Sequence, residues 1–178
     1  AVGAGDRVLV TGASGGVGSS AVQLAHARGA EVVGAASPAK ADWVREHGAE
    51  RVIARDADPV EVLGEASVNV VIDLVGGPSW SRLLDVLQRG GRYATSGAIA
   101  GPVVELDLRD LYLKDLTLLG CTHQDDGVFQ NLIAHIEQGR IRPVVSRTYP
   151  LQQIIQAQQD FLAKKYPGKL VLIPPQGE

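Results

Sequence analysis

The chain has 178 residues, 45% of them hydrophobic and 21% charged, with a formal net charge of −3. That is enough for one core plus an appendage, and it leaves no basic footprint for nucleic acid as a main partner. A single cysteine, Cys121, excludes an internal disulfide framework and a multi-cysteine zinc site within this sequence; no apolar run reaches the roughly 18 residues of a membrane span and no signal peptide is visible, so a cytoplasmic location is the default expectation.

Strand and helix signals then alternate. A strand over 7–10 leads through a glycine turn into a helix over 16–28, with Gly29 suited to its stop. Val17, Ala21, Leu24 and Ala25 are expected to form that helix's apolar stripe. A second strand spans 31–36, and Ser37-Pro38 opens a helix with a hydroxyl cap and a proline at its first position, ending at Gly48. A third strand follows at 51–54, and Asp58-Pro59 repeats the cap-and-proline start for a short helix. The apolar run over 68–75 reads as a strand buried on both faces. Gly76-Gly77-Pro78 turns into a helix over 79–88, and 92–96 and 116–122 supply two more strands. Beyond about Gln124 come a helix over 129–138, an extended stretch over 142–149, a helix over 151–163 and a last strand over 169–173.

Six strands with helical crossovers predict an α/β fold: a doubly wound, parallel six-stranded sheet of the Rossmann kind, with a C-terminal helix–strand extension. Residues 1–124 are expected to form a dinucleotide-binding domain, and 125–178 a segment too small to bury its own core, packing on something larger. There is no methionine, even at position 1, which is expected of a trimmed chain or of part of a longer protein.

The glycine turn is the most informative stretch. Gly12, Gly15 and Gly18 recur every three residues between strand and helix, letting the backbone turn sharply and approach a ligand. The helix therefore starts with unpaired N–H groups and a positive dipole end facing outward, an arrangement that holds a pyrophosphate. An acid at the end of the second strand, about 20 residues past the glycines, would accept from the ribose 2′-hydroxyl of NAD. Here that strand ends Ala35-Ala36-Ser37-Pro38-Ala39-Lys40, with no acid. Ser37 and Lys40 suit a 2′-phosphate instead, and Arg55 past the third strand adds a second cation, so NADPH is expected over NADH.

The glycine turn, the acid-free second strand, Asp73-Leu-Val-Gly-Gly77, Gly90-Gly-Arg-Tyr-Ala-Thr-Ser-Gly97 and the ending Gly168-Lys-Leu-Val-Leu-Ile-Pro174 together resemble a known group. The chain resembles the C-terminal half of a medium-chain dehydrogenase/reductase, nearest the zinc-free NADPH:quinone oxidoreductase branch of that zinc-type alcohol dehydrogenase-like superfamily. The resemblance covers essentially the whole sequence. It implies an N-terminal catalytic domain ahead of this part, with substrate and nicotinamide meeting between the two. By position it implies that Ser14, Gly15, Gly16 and Val17 line the pyrophosphate, and that Ser37, Lys40 and Arg55 take the 2′-phosphate. Leu74, Val75, Ser96, Gly97, Cys121 and Thr122 would approach the ribose and nicotinamide. Lys169 matches a lysine common in the family's terminal strand, and Tyr166 stands where many members have asparagine. The resemblance also implies a homodimer formed by pairing the sixth strand, 116–122, across a twofold axis.

Hydride transfer is the cofactor's chemistry, and no catalytic residue or metal ligand is assigned within this chain. His26 and His47 are expected on surface helices, His123 in a loop near the cleft, Cys121 as a small side chain on a buried strand, and Asp73 in a structural role. The leading expectation is the cofactor half of an NADPH-dependent reductase of quinones or α,β-unsaturated carbonyls, binding NADPH but reducing nothing by itself. A short-chain dehydrogenase is set aside: none of Tyr93, Tyr112, Tyr149 or Tyr166 has a lysine four residues later. A zinc-dependent alcohol dehydrogenase, an enoyl-reductase unit of a multidomain synthase and a non-catalytic NADPH-binding module remain as alternatives.

Overall fold

A computed structural model describes residues 1–175; the last three residues of the expected 125–178 segment lie outside that range. The elements are β1 (Arg7–Val10), α1 (Gly16–Ala27), β2 (Glu31–Ala36), α2 (Ala41–Glu46), β3 (Arg51–Ala54), α3 (Pro59–Leu63), β4 (Val68–Asp73), α4 (Trp80–Asp85), β5 (Leu87–Thr95), α5 (Leu108–Leu113), β6 (Thr117–Gly120), α6 (Asp126–Glu137), β7 (Val145–Pro150), α7 (Ile154–Leu162) and β8 (Lys169–Ile173). The first six strands form one sheet in the order β3-β2-β1-β4-β5-β6, and every neighbouring pair is parallel. Strand order therefore reverses between β1 and β4, the crevice where such sheets hold a ligand.

Alternation along the strands builds two cores. Leu9 faces one side with Val33, Val71, Leu84 and Leu87, while Val8 and Val10 face the other with Val22, Val32 and Val44. All ten side chains are essentially excluded from solvent, each contributing roughly 1.5–3 kcal/mol of transfer free energy. Helices on both faces are what strands with so few polar positions require.

The helix starts follow the capping residues in part. Asp58 Oδ1 accepts from Val60 N at 2.8 Å to open α3. Ser37 occupies the cap position ahead of the 3₁₀ turn Pro38–Lys40, but its hydroxyl makes no capping bond, so the expected hydroxyl cap is corrected. The helix expected to Gly48 is instead that turn followed by α2. The buried face of α1 is Gly18, Ser19, Val22 and Ala25. The expected stripe is shifted, leaving Val17 53% exposed at the helix mouth. Helix α4 ends at Asp85 because β5 begins at Leu87 and pairs Val68 before a register shift brings Arg92 opposite Val70. Helix α5 was not expected; Asp107 caps it, accepting from Arg109 N at 2.8 Å.

Beyond residue 124 the character changes. Strands β7 and β8 form a separate two-stranded parallel sheet, and only Ile141, Tyr149 and Ala157 of the described residues there are buried. Among the described residues no helix is long and apolar enough to cross a membrane.

Candidate cofactor site

The turn between β1 and α1 is built from close backbone approaches. Gly12 has φ +61, a left-handed conformation that a side chain disfavours. At Gly18 a Cβ would stand 2.8 Å from the Gly12 carbonyl carbon and 2.9 Å from Ala13 Cα, so only glycine lets the helix pack this tightly on the turn. Gly15 is the N-terminal cap of α1, which has no side-chain cap bond and no acid in its first turn. Its leading N–H groups and positive end are thus left for an anion. The terminal strand reaches the same place: Gly168 N donates to Ser14 O at 3.0 Å, and the Lys169 chain lies over Gly16, its Nζ 2.7 Å from where a Cβ would be. Ser14, Gly15, Gly16, Val17 and Lys169 are therefore brought together.

A buried carboxylate fixes this turn to the next strand. Asp73, fully excluded from solvent, accepts from Thr11 Oγ1 at 2.5 Å, from Val75 N and Gly76 N at 3.0 and 3.1 Å, and from Tyr93 Oη at 2.6 Å. Thr11 Oγ1 in turn accepts from Leu74 N at 2.9 Å. Charge-assisted bonds of this kind hold a buried carboxylate without a counter-ion. Asp73 is thereby the hub that sets the β1 and β4 ends, a structural role. The Tyr93 hydroxyl is pushed up to about 12 by burial first and by Asp73 second.

Past the ends of β4, β5 and β6 the ladder continues by one step. Ser96 N donates to Asp73 O at 3.2 Å and Cys121 N to Thr95 O at 2.8 Å. Leu74 and Val75, Ser96 and Gly97, and Cys121 and Thr122 thus stand at the carboxyl ends of three adjacent strands. Gly97 is held close, its would-be Cβ 3.0 Å from Leu74 O. Cys121 is exposed, which corrects the expectation of a small side chain on a buried strand: β6 ends at Gly120. His123 is 90% exposed and 3.8 Å from an equally exposed Asp125.

The third neighbourhood is cationic. Ala36 pairs with Ala54 in register, and Arg55 N donates to Ala36 O at 3.0 Å, which sets Arg55 beside Ser37. Lys40 Nζ donates to the carbonyls of Lys164 and Tyr166 at 2.7 and 3.4 Å. Burial, then the charges of Arg55 and Lys164, hold the Lys40 ammonium below the usual lysine range. Lys40 and Arg55 thus stand past the ends of β2 and β3, and the Lys164 ammonium, 3.9 Å from the Phe161 ring centroid, is near enough to act on Lys40.

A family profile for the zinc-binding dehydrogenase matches residues 16–138, more than half of the chain. The chain belongs to that family. Within the medium-chain dehydrogenase/reductases it corresponds to the C-terminal, cofactor-binding half. It is 39% identical over 171 residues to the acryloyl-coenzyme A reductase of Metallosphaera sedula, covering 94% of this chain and 51% of that protein. To the quinone oxidoreductase of Rattus norvegicus it is 31% identical, covering 96% of this chain and 55% of that one. A solved Sinorhizobium meliloti 1021 protein assigned as an alcohol dehydrogenase superposes with a TM-score of 0.92 at 48% identity, over 98% of this chain and 50% of its own. The chain thus spans about half the length of the relatives it matches.

The zinc-binding dehydrogenase name raises the question of a metal. No group of three or more His, Cys, Asp or Glu that could hold an ion occurs among the described residues. The described residues do not fit a zinc centre. The α1 terminus, with no side-chain cap bond and no acid in its first turn, does fit the phosphates of a nicotinamide dinucleotide. Sequence reasoning missed Thr11, Tyr93 and Lys164. Thr11 and Tyr93 carried no local signal, because their role depends on a partner 62 or 20 residues away. Lys164 follows α7 and reaches the site only through the return of the chain to β8.

Proposed function

We propose that this chain is the cofactor-binding part of an NADPH-dependent reductase that delivers hydride to a quinone or an α,β-unsaturated carbonyl. The absence of an acid at the end of β2, with Lys40 just past it and Arg55 just past β3, carries the NADPH assignment. Bound NADPH supplies the hydride. The chain's residues bind and orient it: the glycine turn and Lys169 hold the pyrophosphate, Ser37, Lys40 and Arg55 take the 2′-phosphate, and the backbone at Leu74, Val75, Ser96, Gly97, Cys121 and Thr122 borders the nicotinamide side. The relatives' names, acryloyl-coenzyme A reductase and quinone oxidoreductase, support a conjugated acceptor. The likeness to alcohol dehydrogenases favours a second reading, alcohol oxidation; alcohol-dependent reduction of NADP⁺ by the longer protein, and its zinc content, decide between them.

Calorimetric titration with NADPH and NADH at moderate salt tests the reading. Each charge-assisted contact to the phosphate is worth about 1.5–3 kcal/mol, so NADPH is expected to bind at least tenfold tighter and Lys40→Ala to remove most of that preference. Equal affinities overturn the NADPH assignment; binding of neither leaves the glycine turn a structural device only.

The described residues beyond 124 bury three side chains while Phe129, Ile155, Phe161 and Leu162 are exposed. This segment fits packing against a catalytic domain outside this sequence. Strand β6 is an edge of the sheet with Leu119 47% exposed, and pairing with a second copy would cover it.

A further inference from the structure

We propose that residues 164–169 form a strap across the cofactor site, and that the 2′-phosphate of NADPH locks it shut through Lys40. This rests on the NADPH reading above. The strap is anchored at both phosphate positions at once. At one end, Lys40 Nζ donates to the carbonyls of Lys164 and Tyr166, across 124 and 126 residues of sequence. At the other, Gly168 N donates to Ser14 O at 3.0 Å, Gly168 bridges Gly15, and the Lys169 chain lies over Gly16. Ser146 Oγ holds the middle by donating to Pro167 O.

The strap bends at two left-handed residues, Lys164 at φ +52 and Gly168 at φ +71. Lys164 takes that conformation just past the α7 cap, its N–H donating to Phe161 O at 3.2 Å, and this turns the chain into the strap. Opposing closure is the charge that the strap carries: burial first, then Arg55 beside β2 and Lys164 from the strap, holds the Lys40 ammonium below the usual lysine range. Lys40 Nζ meets this repulsion with bonds to two neutral carbonyls, and the Lys164 ammonium rests 3.9 Å from the Phe161 ring centroid. An ammonium has three donors; two are already on the strap, leaving one for a phosphate oxygen. A phosphate dianion there turns the repulsion among the three cations into attraction, while a cofactor with a plain 2′-hydroxyl leaves it in place.

Hydrogen exchange of the unmodified chain and of two variants, followed by mass spectrometry, tests this. At saturation NADPH is expected to slow exchange at Lys165, Tyr166 and Gly168 about tenfold relative to saturating NADH. Without cofactor, Lys40→Met is expected to speed exchange there and Lys164→Met to slow it. The opposite signs separate electrostatic locking from general loosening, and far-UV circular dichroism confirms that both variants fold. Equal protection by the two cofactors, in a chain that binds NADPH more tightly, overturns the strap and leaves the NADPH reading standing. Both variants speeding exchange alike also overturns it. Absence of NADPH preference in the titration overturns the reading itself, and the lock with it.

Discussion

Gly18 shows how one missing side chain sets the site. Its would-be Cβ stands 2.8 Å from the Gly12 carbonyl carbon, and that neighbour is backbone that cannot rotate away. Gly18→Ala is expected to destabilise the fold by about 1–3 kcal/mol, as overpacking does, and to weaken NADPH binding at least tenfold, because the shift falls on the turn that faces the phosphates. Chemical denaturation and titration check the two halves; unchanged affinity would mean that the turn tolerates a displaced helix. This residue was legible in the sequence, since glycine spacing is local and its backbone demand is the same in any such turn. Lys40 and Arg55 were legible for a similar reason: strand ends fix where they stand. Lys164 was not, because only the chain's return past α7 brings it near Lys40.

Strands β4 and β5 are joined above their backbone ladder by Tyr93 and Asp73, whose oxygens are 2.6 Å apart. Trp80 from α4 packs edge-on to the Tyr93 ring at 5.6 Å, so helix, strand and carboxylate are tied at one point. Tyr93→Phe removes a hydrogen bond to a charged group, worth about 1.5–3 kcal/mol, and is expected to lower stability by that order. The pH dependence follows from linkage. The phenol's folded value is raised to about 12 above an unfolded value of about 10. Its stabilisation is therefore full below about pH 10 and is lost as pH rises toward about 12. Denaturation across that window should show the loss in the wild type and its absence in Tyr93→Phe; identical alkaline slopes would remove Tyr93 as the cause. At this scale the sequence placed the strands and helices of the sheet but missed α5, whose Asp107 cap is a local signal and whose Leu111 packing on the core is a tertiary one. It also misplaced the β5 start, which a register shift against β4 sets.

At the scale of the whole molecule, the sparsely buried described segment beyond residue 124 and the β6 edge are open surfaces. An isologous β6 pairing predicts a dimer by sedimentation, and Leu119→Lys is expected to shift it to monomer by placing a charge on the paired edge. A wild-type chain that sediments as a monomer at tens of micromolar would count against that pairing. What the sequence by itself determined was the parallel doubly wound sheet, the glycine turn and the acid-free second strand. All of these follow from hydrophobic period and backbone sterics within a few residues. What only the tertiary structure decided was which groups those elements bring together: Thr11 and Tyr93 on Asp73, the exposure of Val17 and Cys121, and the third cation beside Lys40. These depend on crossovers that carry side chains across 20 to 126 residues of sequence. A hydrogen bond or a charge acts over a few ångströms of space, and no local pattern records which distant residue will fill them.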